Sequence, residues 1–323
     1  MISTLKATRI FKDPAFPLYC QRHENHVSST LHRHDFHELV VILSGHGRHI
    51  ADDEDYPVQA GDVFLIRGNM AHGYAETDRM ALANILFNPR QIKLPLEQLR
   101  DVPGYHMLFR IEPRLLRRDR IQSRLRLSAD ELAEAVRMII EIEDELARKE
   151  PGHRFMACAC LMRLIAFLSR CYSHEGERSE TRLMRMGELL GYIERHYRES
   201  ITIEQLRKRG CMSESTLLRS FRRVLGHSPI EHVIRLRVAH AEDLLLRRED
   251  MRITEVAFES GFLDSNYFSR QFRRITGMSP SAYRARYGTM RNRGTVSLPG
   301  HRKQHDQQGH LSFMTPFLKP FAM

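Results

Sequence analysis

The chain has 323 residues, which is more than one average domain, and a formal net charge of +10. The basic excess is uneven: residues 1–182 carry 26 basic and 26 acidic side chains, residues 183–288 carry 19 and 13, and residues 289–323 carry 5 and 1. This asymmetry predicts a C-terminal domain with a polyanionic partner and an N-terminal domain that binds something small or uncharged.

The sequence also excludes some classes of protein. No apolar run approaches the ~20 residues of a membrane span, and the first residues lack the apolar core of a secretory signal. The five cysteines are odd in number and have no CxxC spacing, which is typical of reduced thiols. We therefore expect a cytoplasmic protein with no membrane segment.

Residues 1–30 are weakly patterned, with one or two short strands or an arm expected, and β signals begin at Glu38. The segment at 38–50 is a β-rich run interrupted by glycines, the segment at 58–72 holds a turn at Gly61 followed by a buried strand, and residues 81–87 form another apolar run. Short strands with turn signals and no interleaved helices predict a small all-β barrel or sandwich.

Histidines in this region have a distinctive spacing. The pattern H-x-H-(x)3-E-(x)6-G resembles the first motif of the cupin barrel and is formed by four residues: His32, His34, Glu38 and Gly45. The second cupin motif is matched at Gly61 and His72, whereas Arg67 and Asn69 replace its proline and glycine. The resemblance implies a cupin-like barrel.

Two uses of these side chains remain open. Three histidines and a carboxylate (His32, His34, His72 and Glu38) form a set suited to a divalent metal such as iron, manganese or zinc. The same residues, with Asp35 and His37, would otherwise line a pocket and hydrogen-bond a small ligand without any required cofactor. Structural or surface roles are the third interpretation.

Two amphipathic helices are predicted after the barrel. Residues 128–148 begin with Ser128 and Glu131, a capping box, and residues 155–171 form the second helix. Both carry apolar stripes that suit core packing or contact with a second subunit. Residues 173–182 lack apolar side chains and are predicted to be a flexible linker after an N-terminal domain at 1–172.

A repeat lies in the C-terminal part. MSESTLLRSFRRVLG at 212–226 corresponds to LDSNYFSRQFRRITG at 263–277, 51 residues later. Each copy follows a short helical segment and a turn, and a helix over 234–246 connects the copies. Two short helices joined at a sharp turn, with arginines on the second, are typical of a helix-turn-helix.

This pair of motifs resembles the DNA-binding domain of the AraC/XylS family of bacterial transcription regulators. Within the family, H-x-H-D-F-H-E at 32–38, H-x-Y-x-x-T-D at 72–78 and F-x-D-S-N-Y-F-S at 262–269 are most similar to the L-rhamnose-responsive regulators. Two positions depart from the family pattern in the first copy. Arg207 replaces a small helix residue, and Cys211 stands in place of the turn glycine.

The second helix of each motif is its recognition helix, and base-reading residues are expected in the exposed N-terminal part of that helix. They are Ser215 and Arg219 in the first copy, and Asp264, Ser265, Asn266, Arg270 and Gln271 in the second. Asp264 has an alternative role as a helix cap. Four arginines nearer the helix ends are expected to contact phosphates or acidic partners: Arg222, Arg223, Arg273 and Arg274.

The sequence thus predicts an α+β multidomain chain. It would have a cupin-like barrel with two dimerisation-type helices, an all-α double helix-turn-helix domain at 183–288, and a disordered basic tail at 289–323. The resemblance implies a homodimeric, sugar-responsive activator that binds double-stranded DNA and RNA polymerase and is not an enzyme. The alternatives are a cupin metalloenzyme (dioxygenase or sugar isomerase) fused to a DNA-binding domain, and a stress or virulence regulator without an effector.

Overall fold

The computed structural model describes residues 2–51, 54–89, 91–92, 94–112, 125–178, 182–248 and 250–292. The chain divides into two compact units, Met1–Gly191 and Tyr192–Met323. The first is rich in β structure and the second is helical, as the sequence predicted. The tail predicted at 289–323 lies outside the described residues beyond Asn292.

One sheet forms the first unit. Its strands are β1 Ser3–Leu5, β2 Leu18–His23, β3 Ser29–His34, β4 His37–Ala51, β5 Glu54–Gln59, β6 Asp62–Ile66, β7 His72–Phe87 and β8 Leu125–Arg126. The strand order is β1-β3-β7-β4-β6-β8, with β2 paired to β7 and β5 paired to β4. All pairings are antiparallel except that of β1 with β3.

The sheet curls but does not close. The ladder between β4 and β7 shifts register three times between Ile42 and Arg48, and such bulges bend and twist the strands. In the part of the chain that the structure describes, no ladder joins β1 to β8. The predicted sheet-rich N-terminal domain is confirmed, but its cupin-like barrel is not closed among the described strands and forms an open, curved sheet.

The concave face of the curled sheet holds an apolar core. Alternate residues of β4 point to this face, and Val40 and Ile42 pack there against Phe64, Ile66 and Leu82. Because strand side chains alternate between faces, Glu38 lies on the same face as Val40 and Ile42. A carboxylate therefore stands at one end of a hydrophobic core.

Helices cover the rest of the first unit. They are α1 Ala7–Ile10, α2 Pro103–His106 (continued by a π-helical turn, Met107–Ile111), α3 Ala129–Arg148, α4 His153–Arg178 and α5 Arg182–His196. The predicted capping box is confirmed at the start of α3: Glu131 N donates to Ser128 Oγ, and Ser128 N donates to a Glu131 carboxylate oxygen.

The boundary between the two units differs from the predicted linker. Helix α4 continues to Arg178, so most of residues 173–182 is helical, and the units meet inside α5. Gly187 and Gly191 of α5 lie so close to the backbone oxygens of Pro103 and Arg100 that a Cβ would stand 2.9 and 2.6 Å from them. This close approach joins the start of α5 to the first unit.

One stretch among the described residues, His153–Ser173 of α4, is long and apolar enough by length and composition alone to cross a membrane. Its apolar side chains Leu161, Leu164, Ile165 and Leu168 are fully buried within the protein. Helix α4 packs against α3. Its hydropathy is thus explained by a core position.

The second unit contains two helix-turn-helix motifs joined by a long helix. Its helices are α6 Ile203–Arg209, α7 Glu214–Leu225, α8 Pro229–Arg247, α9 Ile253–Glu259, α10 Ser265–Thr276 and α11 Pro280–Asn292. The predicted connecting helix is confirmed as α8, which is longer than expected. Phe268 and Phe272 are buried against α8 and α9, so these rings are core residues.

Candidate functional site

Three neighbouring strand ends bring the predicted histidines together. His32 pairs with His72 across β3 and β7, His34 ends β3, and Glu38 stands at the start of β4. His34, Glu38 and His72 are buried, and His32 is half-buried. The first-motif histidines and the second-motif histidine therefore meet at one point, as the cupin spacing implied.

Backbone carbonyls orient each imidazole of this histidine cluster (His32, His34, His72 and Glu38). Nδ1 of His34 lies 2.8 Å from the Phe36 oxygen, Nδ1 of His72 lies 3.2 Å from the Met70 oxygen, and Nδ1 of His32 lies 3.2 Å from the Thr30 oxygen. A carbonyl can only accept, so Nδ1 must be the protonated nitrogen. Each Nε2 is left with a lone pair available to a ligand.

The Nε2 atoms converge on the carboxylate. Nε2 of His34 and of His72 lie 3.0 and 3.3 Å from Oε2 of Glu38, but neither has a hydrogen-bond partner among the described residues. Donor atoms of His32, Glu38 and His72 all lie within 4.8 Å of one another. Ligands at about 2.0–2.1 Å from a tetrahedral metal stand ~3.3 Å apart, so the distances of His34 and His72 from Glu38 fit an ion, and His32 lies within the wider 4.8 Å limit.

The charge of Glu38 is maintained inside this cluster. Burial raises the pKa of the Glu38 carboxyl, but the adjacent imidazoles of His34 and His72 outweigh burial and hold it well below its usual range. The pKa of His32 is lowered, first by burial and then by His72. An ionised Glu38 carboxylate is the protonation state of this side chain that a cation requires.

Two predicted effector residues lie elsewhere. Asp35 is exposed, and its Oδ1 accepts a hydrogen bond from the Ala7 amide at 2.8 Å. His37 faces away from Glu38 because neighbouring residues of a strand alternate, and its ring lies 5.8 Å from that of Phe87. The structure therefore does not place Asp35 or His37 with the cluster.

Sequence reasoning missed an aromatic wall beside the cluster. Its rings belong to His26, His49, Tyr56 and Tyr74. The His49 ring lies 5.9 Å from that of His72 and 5.1 Å from that of Tyr74, and the His26 ring lies 5.0 Å from that of Tyr74. Nδ1 of His49 also contacts the Tyr56 hydroxyl. His49 follows the bulges of β4, which change the face of the strand, so its direction could not be deduced from alternation.

Both helix-turn-helix motifs share the same turn geometry. The amide of Met212 donates to the Arg207 oxygen at 3.1 Å, and the amide of Phe262 donates to the Ala257 oxygen at 3.0 Å. The residue before each amide has positive φ, +47° at Cys211 and +91° at Gly261. Cys211 therefore occupies the left-handed position that glycine normally takes.

The nominated base-reading residues lie along the recognition helices α7 and α10. Ser215 and Arg219 of α7 and Asn266 and Arg270 of α10 are exposed, whereas Ser265 and Gln271 are half-buried. The Asp264 carboxylate accepts from the Tyr267 amide, which makes it the helix cap. The Arg270 guanidinium lies 5.9 Å from the Tyr267 ring centroid.

The four arginines nearer the helix ends differ in their side-chain contacts. Arg222, Arg223 and Arg273 are exposed. Arg274 instead donates to Glu231 at 2.6 Å and to Gln271 at 2.8 Å. Arg274 thus joins α10 to the start of α8 while Gln271 supports it within α10, and these contacts compete with the predicted roles of both residues toward DNA.

Comparisons with known proteins give matches in both the N-terminal and the C-terminal part of the chain. Residues 13–150 match the AraC-like ligand binding domain, and residues 206–286 match a helix-turn-helix domain. The HTH-type transcriptional activator RhaR of Escherichia coli (strain K12) is 29% identical over 254 residues, 78% of this chain and 86% of its own. RhaR of Enterobacter sp. (strain 638) is 28% identical over 256 residues, 79% and 86% of the two chains.

Among the solved structures similar to this chain is the DNA-binding domain of AdpA, a global transcriptional factor, in complex with a target DNA. It is 35% identical, with 34% of this chain and 98% of that chain covered and a TM-score of 0.32. The two matched domains occur here in the order of the family, each with the local geometry described above. The chain belongs to the AraC family of DNA-binding transcription regulators and carries its own ligand-binding domain.

Proposed function

We propose that this regulator activates a sugar catabolic operon when a small-molecule effector, L-rhamnose or a similar deoxysugar, binds its N-terminal domain. The buried histidine cluster, inside a domain that matches a ligand-binding family, is the observation that carries the proposal. The relatives are transcriptional activators, which supports the direction of regulation. The protein would act in the cytoplasm as a homodimer that contacts RNA polymerase, without catalytic turnover.

The effector changes transcription only if it binds two states of the protein with different affinity. Polar groups of the aromatic wall, such as the Tyr56 hydroxyl and the ring nitrogens of His49, would bind sugar hydroxyls. Their rings would pack against the apolar face of the sugar. Binding would then alter how the two DNA-reading units engage their half-sites.

A divalent metal is the second part of the proposal. His32, His34, His72 and Glu38 would hold it, since three nitrogens and one oxygen with no thiolate suit zinc, iron or manganese. When bound, the metal would supply a Lewis acid that polarises an effector hydroxyl. The wall residues would set which hydroxyls face it.

The test is a thermal unfolding scan of the full chain with a panel of monosaccharides, each with and without a chelator, together with metal analysis of the purified protein. A ligand at 100 times its dissociation constant stabilises by ~2.7 kcal/mol, and each kcal/mol moves the midpoint by roughly 2–4 °C. A rise with L-rhamnose that disappears on chelation supports both parts. A rise that survives chelation retires the metal.

Absence of any sugar effect would contradict the effector. His49→Phe should abolish the sugar-dependent rise and retain the metal, whereas His34→Ala should lose the metal.

The same histidine cluster also favours a second function, that of a metalloenzyme. It requires turnover of a bound compound that disappears in Glu38→Gln, and this outcome would replace the sensor assignment. Operator binding with no response to any compound would support a regulator without an effector.

A further inference from the structure

The two helix-turn-helix motifs differ by one residue in their turns. Helices α6 and α9 begin 50 residues apart, at Ile203 and Ile253, but α7 and α10 begin 51 residues apart, at Glu214 and Ser265. The hydrogen bonds of the turn place Met212 in register with Phe262. The second turn therefore contains an additional residue, Leu263, and the sequence match of Met212 with Leu263 is wrong.

Leu263 has no role in the core. Met212 and Phe262 both fill the interior below their turns, with exposed fractions of 6% and 1%. Leu263 is 90% exposed, and Asp264, which follows it, caps α10. An isolated exposed leucine is ordinary on a protein surface. Exposure alone therefore assigns Leu263 no partner, and its location in the motif is the observation that does.

That position is the tip of the DNA-reading helix. In a helix-turn-helix, residues at the N-terminus of the second helix approach base edges in the major groove. Leu263 directly precedes this N-terminus, and the exposed Asn266 and Arg270 follow it along α10. In the major groove, the apolar group on a base edge is the C5-methyl of thymine.

We propose that Leu263 contacts a thymine methyl beside the base pairs read by α10, and so fixes one position of the operator. This inference rests on the DNA-binding assignment and not on the effector. The first motif, which lacks the additional residue, has no equivalent contact. The half-site read by α10 therefore carries a thymine preference that the half-site read by α7 lacks.

The experiment begins with selection of binding sites from randomised duplex DNA by the full chain. The same selection is made with Leu263→Ser and with Phe258→Ser, a control that removes another exposed apolar side chain of the motif. Phe258 borders a surface groove with Arg195, Arg198 and Glu199. Leu263→Ser should select sites that lose one thymine preference, and Phe258→Ser should select wild-type sites.

Uracil then isolates the methyl group. Replacing the selected thymine by uracil removes only the methyl and should weaken wild-type binding about three- to fivefold, the effect of about one buried methyl-sized group. Leu263→Ser should bind the two duplexes equally. Equal sensitivity of wild type and variant to uracil overturns the proposal.

A different result would identify a protein contact. If Leu263→Ser keeps the wild-type site preference and affinity but lowers transcription with RNA polymerase, Leu263 touches a protein and the DNA proposal is wrong. Failure of the chain to select any sequence would instead contradict the DNA-binding assignment. Because Leu263 is almost fully exposed, the unfolding midpoint of the variant should match wild type.

Discussion

The two helix-turn-helix motifs show how one architecture is built on unequal local sequences. The first motif has Arg207 in its first helix and Cys211 in its turn, whereas the second has Ala257 and Gly261. Ala257 is fully buried, while Arg207 is half-buried and pairs with Glu204 at 2.8 Å. The second motif thus buries a small side chain in its first helix and has glycine in its turn, whereas the first motif has a half-buried ion-paired arginine and a non-glycine residue with positive φ.

The largest effect is expected at Gly261. A Cβ there would stand 2.6 Å from the Arg198 Cα and 2.7 Å from its oxygen, at φ +91°. Gly261→Ala combines left-handed strain with overpacking against backbone and should cost about 2–5 kcal/mol in the free energy of unfolding. Denaturant unfolding measures the loss.

Gly277→Ala is the matched control, because its φ is +82° and no atom lies within 4 Å of its added Cβ. It should cost only the backbone component, about 1–2 kcal/mol. Equal losses for the two variants would show that backbone strain alone makes glycine necessary at position 261.

The next effect concerns base reading. Arg270→Ala should lose about 1–3 kcal/mol at one base position and relax the preference there. Arg219→Ala should do the same at a different position, in the half-site of the first motif. Binding to a panel of single-base operator variants checks both, and a uniform loss across the panel would mean a phosphate contact.

The connecting helix α8 carries a half-buried acid, Glu242. Burial raises the pKa of Glu242 to about 7, opposed by a hydrogen bond from the Tyr283 side chain. The folded pKa exceeds the ordinary value of 4.5, so the folded state retains the proton longer. The free energy of unfolding should therefore fall as the pH rises from about 4.5 through about 7.

Glu242→Gln keeps the side-chain shape and removes the charge. It should raise the free energy of unfolding by about 1–3 kcal/mol at pH 8 and have little effect at pH 4.5, where Glu242 is protonated when folded. Denaturant unfolding at the two pH values tests this. A variant whose stability gain is the same at both pH values would rule out titration of Glu242 as the cause.

The smallest effect is expected at Cys211, where a non-glycine residue has φ +47°. Cys211→Gly relieves left-handed strain but gives the unfolded chain more freedom, so we expect a net gain of at most about 1 kcal/mol. Cys211→Ala keeps the strain and is the control. If glycine and alanine behave alike at this position, the two turns are not energetically different.

The cluster and the motifs were predictable to different degrees. Some features can be recognised directly in the sequence: the helix caps, the repeat, and the spacing of His32, His34, Glu38 and His72. They are readable because side-chain periodicity and capping hydrogen bonds depend on residues a few positions apart. The direction of His49 was not predictable, because it depends on register shifts between β4 and β7. Asp35 shares the local pattern but lies outside the cluster, where its carboxylate accepts a hydrogen bond from the Ala7 amide at the start of α1.

The sequence by itself determined the domain order, the double helix-turn-helix and the residues able to form a histidine site. Tertiary structure alone decided that the sheet stays open, that α5 joins the first unit through Gly187 and Gly191, and that Leu263 projects as an additional residue. The first two features depend on contacts between segments far apart in the chain, and the third depends on which residue of the turn, Phe262 or Leu263, fills the interior. Local patterns do not encode such distances, because the same strand or turn is compatible with several partners until packing selects one.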